Sequence, residues 1–140
     1  MLQSKIQIRV RYAETDMMGF AHHGNYAVWF ELARVHMMDD FGYPYREMER
    51  DGYRLPVLEL QTRFLRSVTF DDTVTVEATL REKPSARIRI EYRVLREGLE
   101  IATGSTLHAF INPEGRPLRP PERFVRGMAA LFDRGHQPSS

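Results

Sequence analysis

Alternating polar and apolar positions recur in five segments of the chain and predict five β-strands. In the first segment, residues 5–11, Ile6, Ile8 and Val10 share one side of an extended chain. The other four segments cover residues 58–65, 74–80, 87–94 and 101–111. Such alternation is typical of antiparallel sheets that have one buried and one solvated face.

A different pattern separates the first strand from the second. From Asn25 to about Phe41 the sequence is at first apolar on nearly every side, which predicts a helix enclosed by other elements and ended by Gly42 and Pro44. Shorter helices are predicted over residues 45–51 and 122–132. The order of elements therefore predicts an α+β fold in which a single antiparallel sheet of about five strands wraps around one long central helix.

The loop between the first strand and this helix concentrates the candidate chemistry. It contains Asp16, Gly19, His22 and His23, and it ends at a capping region, Gly24 and Asn25. Amide N–H groups at a helix start have no intrahelical acceptor and carry the positive end of the helix dipole, so they can hold an oxyanion. A carboxylate beside them, that of Asp16, can act as a nucleophile or as a general base.

Each of these residues also has a structural interpretation. Asp16 can stabilise its loop and Asn25 can cap the helix; we prefer catalysis for Asp16 and the cap for Asn25. A metal site built from Asp16, His22, His23 and His36 is not expected, because the spacings match no common zinc motif. Glu31 can form a buried ion pair with Arg34, three residues later on the helix, or it can support catalysis, and the sequence leaves both open.

Composition narrows the classes of function. The 140 residues fit one domain, residues 1–134, with a flexible tail at residues 135–140. Twenty basic and nineteen acidic side chains give a net charge of +1, so no global field favours nucleic acid or an anionic membrane. The absence of cysteine excludes disulfides and thiol nucleophiles, and no signal or transmembrane stretch is visible, so we expect a cytoplasmic protein.

The loop and helix together carry a recognisable motif. The pattern Thr15-Asp16-x-x-Gly19-x-x-x-His23-x-Asn25-Tyr26, continued by Phe30-Glu31-x-Ala33-Arg34, resembles hot-dog-fold acyl-CoA thioesterases of the 4-hydroxybenzoyl-CoA thioesterase type. The resemblance extends through residues 55–57 and 70–76 to the Pro-rich segment near the C-terminus. It implies a hot-dog fold and an enzyme that hydrolyses acyl-CoA to a carboxylic acid and coenzyme A without a metal or other cofactor.

The resemblance also implies roles for individual residues. The catalytic group comprises Asp16, His23, Gly24 and Asn25, with the amides around His23 and Gly24 holding the oxyanion. Candidate substrate contacts are Tyr26, Met17, Met18, Lys83, Ser85, Arg87, Arg89, Arg116 and Arg119. The two methionines would flank the acyl group, and arginine forks suit the phosphates of coenzyme A. His22 departs from the family pattern, which more often has an aromatic residue there.

The same resemblance implies assembly. Two sheets would join edge to edge in a homodimer, with active sites at the subunit boundary, and dimers commonly pair into a tetramer. Two other kinds of function fit the sequence: another hot-dog enzyme, acting on acyl carrier protein thioesters or hydrating enoyl thioesters, and a non-catalytic acyl-CoA-binding module. The length of the acyl group and its aromatic or aliphatic nature stay open.

Overall fold

The computed structural model describes residues 1–134 and contains all of the predicted elements. The strands are β1 (Leu2–Arg9), β2 (Val57–Phe64), β3 (Thr73–Leu80), β4 (Arg87–Arg96) and β5 (Leu99–Ala109). The helices are α1 (Asn25–Asp40), α2 (Tyr45–Arg50) and α3 (Glu122–Arg134), and a 3-10 turn covers Tyr12–Glu14. The predicted tail, residues 135–140, lies outside the described residues.

The five strands form one antiparallel sheet in the order β1-β3-β4-β5-β2. Strands β1 and β2 are therefore its two edges. The register brings Arg9, at the end of β1, and Phe64, at the end of β2, to the same end of the sheet. We call it the Arg9 end. The opposite Arg87 end holds the starts of β2 and β4, about 25 Å away at the usual rise of a strand residue.

The core lies between α1 and the inner face of the sheet, as the sequence predicts. Helix α1 packs mainly against β1 and β3 and buries Trp29, Phe30 and Met37. The ring of Phe30 stacks on that of Tyr92 with centroids 4.4 Å apart. A Cβ atom at Gly104 would lie 2.5 Å from this Phe30 ring, so β5 needs glycine at the closest approach of helix and sheet. The predicted sheet around a long helix is thereby confirmed.

Strand β2 differs from the prediction of one buried face. Leu60 and Phe64 point towards the helix side, yet they keep 47% and 49% of their surface exposed. The physical reason is the position of α1, which covers β1 and β3 at the far side of the sheet and leaves the inner side of β2 open. On α1 itself, Val28 and Leu32 are also about half exposed. Apolar surface is thus uncovered on both elements.

Arg34 is the central polar residue of the core, with 6% of its surface exposed. Its guanidinium donates to the hydroxyls of Tyr45, at 3.0 Å, and Tyr92, at 3.1 Å. Glu31 is exposed, and among residues 1–134 the predicted ion pair between Glu31 and Arg34 is not formed. Arg34 lies on the sheet-facing side of α1 with Phe30 and Met37, so it reaches the phenols of the core instead.

None of the helices among residues 1–134 combines the length and the apolar character needed to cross a bilayer.

Candidate active site

The loop that carries Asp16 is a tight turn on a short two-stranded ladder. Thr15 and Ala21 pair across it, and the Asp16 N–H donates to the Phe20 carbonyl at 2.8 Å. The Gly19 N–H returns to the Asp16 carbonyl at 2.9 Å. Gly19 has a φ of +84°, a conformation that residues with a Cβ avoid, so the turn requires glycine at this position of the motif.

Two sets of hydrogen bonds attach the turn to the rest of the molecule. On the sheet side, the Ala21 N–H donates to the Val68 carbonyl at 2.8 Å, in the connection that follows β2. On the helix side, the Glu14 carbonyl accepts from the His22 N–H at 2.8 Å and from the Asn25 side-chain amide at 2.7 Å. The turn is therefore fixed between the end of β2 and the first turn of α1.

The two carboxylate oxygens of Asp16 have different surroundings. Oδ1 accepts from the Met18 N–H at 2.9 Å and from the Phe20 N–H at 3.3 Å, so it stabilises the turn. Within residues 1–134, Oδ2 receives no hydrogen bond. The structural interpretation of Asp16 thus applies to one oxygen, and the other oxygen is available for chemistry.

The start of α1 presents fewer free amides than the sequence predicts. The Gly24 N–H donates to Nδ1 of His22 at 3.1 Å, and the Asn25 N–H donates to the His22 carbonyl at 3.0 Å. In the described part of the chain, the His23 N–H meets no acceptor. His22, the residue that departs from the family pattern, therefore occupies one of the two predicted oxyanion donors.

The carboxylate and this helix start border one pocket. Asp16, His23 and Tyr26 line a cavity of about 300 Å³ together with Phe20, Ala21, Phe64, Leu65, Arg66 and Ser67. The Phe64 ring meets those of Tyr26 and His23 edge to face, with centroids 5.0 and 6.3 Å apart. Burial raises the pKa of the Tyr26 phenol above its ordinary value. The pocket is an aromatic cleft whose lining includes Asp16 and His23.

The wall formed by Phe64, Leu65, Arg66 and Ser67 was not among the predicted site residues. These residues follow β2, which lies at the far edge of the sheet from β1, and only the strand order brings them beside the Asp16 turn. The alternating pattern predicts that β2 exists but not where it pairs. An isolated bridge between Phe20 and Thr69 marks the contact in the structure.

The remaining predicted contacts do not line this pocket. Met17 and Met18 are exposed on the turn. Lys83, Ser85, Arg87 and Arg89 line a separate cleft of about 430 Å³ at the Arg87 end of the sheet. Arg116 and Arg119 are exposed on the segment that follows β5, near the same end.

Two of the cations in this group have acidic partners. Lys83 lies 3.5 Å from Asp133 and Arg89 lies 3.5 Å from Glu59, in both cases at the surface. Such exposed pairs contribute little to stability and exchange readily with solvent ions. As for metals, the side chains of residues 1–134 form no group of three histidine or acidic ligands.

Comparison with known proteins gives the family. The model of the thioesterase-like superfamily matches residues 10–128. The structure superposes on DHNA-CoA thioesterase from Staphylococcus aureus with a TM-score of 0.88 and 32% identity, covering all of both chains. It superposes on a hypothetical protein from Thermus thermophilus with a TM-score of 0.86 and 40% identity, covering 93% of this chain and 98% of the other.

A curated relative agrees with these structures. The Bacillus subtilis protein YneP, named as a candidate acyl-CoA thioesterase, is 31% identical over 103 residues, which are 74% of this chain and 75% of the relative. Three findings identify the same family: the motif around Asp16, the five-stranded sheet around α1 and the match over residues 10–128. The hot-dog resemblance and the prediction of a thioesterase-type enzyme are confirmed, and the chain belongs to the thioesterase-like superfamily.

Proposed function

We propose that this protein hydrolyses acyl-CoA thioesters to a carboxylic acid and free coenzyme A. One observation carries the proposal: Asp16 and His23 line the same aromatic pocket, and within residues 1–134 Oδ2 of Asp16 receives no hydrogen bond and the His23 N–H meets no acceptor. Two of the similar proteins are named for acyl-CoA substrates, which supports coenzyme A as the thiol. An aromatic pocket wall suits an apolar acyl group without fixing its length.

Asp16 carries the reaction in either of two ways. As a nucleophile, Oδ2 attacks the thioester carbonyl, the coenzyme A thiolate leaves, and water hydrolyses the mixed anhydride to restore the carboxylate. As a general base, Oδ2 takes a proton from a water molecule that attacks the same carbonyl. In both routes the carbonyl oxygen becomes negative, and the His23 N–H at the start of α1 stabilises it.

The second part of the proposal is a homodimer formed through β2. This strand is a sheet edge, and the apolar side chains of Leu60 and Phe64 beside it are half exposed. Pairing β2 with its copy around a two-fold axis would satisfy the open edge and cover those side chains. We propose that two such dimers pair into a tetramer.

Dimerisation also bears on coenzyme A. In one chain the Asp16 pocket lies at the Arg9 end, while Arg116 and Arg119 follow β5 at the Arg87 end. A two-fold axis between antiparallel copies of β2 brings the Arg87 end of one subunit to the Arg9 end of the other. Arg116 and Arg119 of the partner subunit therefore suit the phosphates of coenzyme A, and the cleft bordered by Lys83, Ser85, Arg87 and Arg89 is a more distant candidate.

The test is release of free thiol from a panel of short aliphatic, long aliphatic and benzoyl-type acyl-CoA esters. Asp16→Asn is the informative variant, because its amide oxygen can still accept from the Met18 and Phe20 N–H groups while the negative charge is lost. Asp16→Ala removes both properties. Asp39→Asn, at an exposed position of α1 outside the pocket, is the matched control.

We expect loss of turnover by a factor of about a hundred or more in both Asp16 variants and wild-type turnover in the control. Turnover that survives in Asp16→Asn would refute the assignment of the chemistry to Asp16. With an enoyl-CoA ester assayed beside the panel, loss of enoyl absorbance without thiol release would instead identify a hydratase. A folded protein that binds coenzyme A but turns over none of the esters would identify a binding module.

A further inference from the structure

Glu14 is a buried carboxylate in an otherwise exposed loop. Only 4% of its surface is exposed, whereas Tyr12, Met17 and Met18 nearby are exposed. A buried carboxylate needs partners for its oxygens, and Glu14 has them. One oxygen accepts from the Arg11 N–H at 2.8 Å, and the other accepts from the indole N–H of Trp29 at 2.9 Å. The Arg11 guanidinium lies 3.5 Å from the second oxygen.

Trp29 is a well-anchored partner for the Glu14 carboxylate. It is fully buried on α1, one turn after Asn25, and its ring packs on that of Tyr26 with centroids 4.6 Å apart. The side chain of Glu14 is thus bonded to the second turn of α1. Its backbone carbonyl is bonded to the His22 N–H and to the Asn25 side chain, at the first turn.

Both proposed reacting groups are connected to Glu14. Asp16 follows it by two residues, and His23 follows His22, whose N–H donates to the Glu14 carbonyl. The hydrogen bonds of the Asp16 side chain stay within the turn, so they set the shape of the turn and not its position relative to α1. The sheet-side bond from Ala21 to Val68 does not involve the helix. The Glu14 contacts therefore tie the turn to α1, beside the bonds that Asn25 makes to the His22 carbonyl.

We propose that Glu14 is a positioning residue that holds the Asp16 carboxylate and the His23 amide at their working separation by fixing the loop to Trp29. This inference rests on the function proposed above, since it assumes that both groups act on the thioester. Burial alone would raise the pKa of Glu14, but the hydrogen bonds from Arg11 and Trp29 outweigh it and hold the pKa below its ordinary value. Glu14 therefore stays ionised and accepts from both donors at neutral pH.

The perturbation is Glu14→Gln, which keeps the size of the side chain. A glutamine presents one oxygen and one NH₂ group, so it must face either the Arg11 N–H or the Trp29 indole N–H with a second donor. The loop then loses one attachment to α1 while Asp16 and His23 are unchanged. Because displacements of about 1 Å can cost up to a hundredfold in rate, we expect kcat to fall by about tenfold or more, with KM within about twofold.

Glu14→Asp and Trp29→Phe complete the series. Aspartate keeps the charge but is one methylene too short for Trp29, and phenylalanine lacks the N–H donor. If all variants act through one hydrogen bond, the double variant Glu14→Gln with Trp29→Phe loses about as much kcat as the worse single variant. A double loss equal to the product of the single losses would overturn the link. Glu14→Asp also supplies a readout should the glutamine variant fail to fold.

Controls separate positioning from stability and from the proposed function. Tyr43→Phe removes the hydrogen bond from the Tyr43 hydroxyl to Asp51, 3.0 Å long, at a distance from the pocket; it should lower Tm without changing kcat. Suppose that Glu14→Gln and Glu14→Asp lower Tm but leave kcat unchanged, as Tyr43→Phe does, and that Asp16→Asn is inactive. This result would refute the positioning role of Glu14 and leave the proposed function standing. If Asp16→Asn is active, the proposed function is refuted, and the positioning role that rests on it is refuted with it.

Discussion

His108 lies at the end of a chain of buried hydrogen bonds that can run in one direction only. Arg34 can only donate, and it donates to the Tyr92 hydroxyl. Tyr92 therefore donates to Thr106 at 2.7 Å, and Thr106 donates to Nε2 of His108 at 2.8 Å. Nδ1–H of His108 then donates to the Pro56 carbonyl at 3.0 Å. Protonation of Nε2 would remove the acceptor of the Thr106 hydroxyl, whose proton would have to turn away from the ring in a site with 0% exposure.

The pKa of His108 is lowered because protonating the buried imidazole costs free energy. Burial, and then the positive charge of Arg34, lower the pKa of His108 to about 4 despite the favourable carbonyls of Leu55 and Pro56. In the unfolded chain the histidine pKa is about 6.5, so below that pH the unfolded state binds a proton that the folded state does not bind. The stabilisation is complete above about pH 6.5 and is lost as the pH falls towards 4. Between pH 7.5 and pH 5 the loss is about 2 kcal/mol.

The assay is urea unfolding at fixed protein concentration over this pH range, with His108→Gln as the variant. We expect the wild-type free energy of unfolding to fall by about 2 kcal/mol from pH 7.5 to pH 5, and the fall to be largely absent in His108→Gln. His36→Gln, at a half-exposed position of α1, should keep the wild-type dependence. The reasoning is refuted if wild type and His108→Gln lose the same free energy.

Three further predictions follow from the edge strand, the core and the surface cations. Leu60→Asp places a charge on the exposed inner side of β2 and should shift the protein to monomers on size-exclusion chromatography, with loss of activity. Gly104→Ala drives a methyl group into the Phe30 ring and should lower the free energy of unfolding by about 1–3 kcal/mol in urea titrations. Arg116→Gln and Arg119→Gln should raise KM for acyl-CoA at low salt, while kcat stays within about twofold in steady-state assays.

The first and the third of these predictions have matched controls on α3. Val125→Asp introduces the same charge at another exposed apolar side chain and should leave the oligomeric state unchanged. Arg126→Gln removes an exposed arginine that is paired with Glu122 and should leave KM unchanged. A monomer produced by Val125→Asp, or a KM raised equally by Arg126→Gln, would show that the effects are not specific to β2 or to the Arg116 segment. Wild-type stability in Gly104→Ala would contradict the close approach of helix and sheet.

Local patterns in the sequence were sufficient to predict most elements and the centre of the candidate site. Period-two alternation predicts the strands because side chains leave a strand on alternate faces, and it locates β4 well. The motif places Asp16, His23 and Tyr26 together because all three belong to one short stretch that runs from the turn into α1. Such information is contained in a few neighbouring residues.

Features that depend on strand order or on side-chain reach were not predictable in this way. Phe64 joins the pocket only because β2 pairs with β5 at the edge of the sheet, a contact between segments far apart in the chain. Spacing suggested that Arg34 pairs with Glu31, but the depth of Arg34 in the core takes it to Tyr92. The acceptor that His22 offers to the Gly24 N–H depends on a ring orientation that the sequence does not encode locally.

Because the inner side of β2 is open in the single chain, the proposed dimer makes the activity of each subunit depend on the protein concentration. In the proposed dimer, part of the folding free energy of every chain is supplied by the other chain, so dilution weakens assembly and stability together. Subunits exchanged between dimers would also carry their Arg116 segment into a neighbour's site. A chain with a damaged Asp16 pocket would then still serve the intact pocket of the subunit beside it, and mixed dimers would retain one working site.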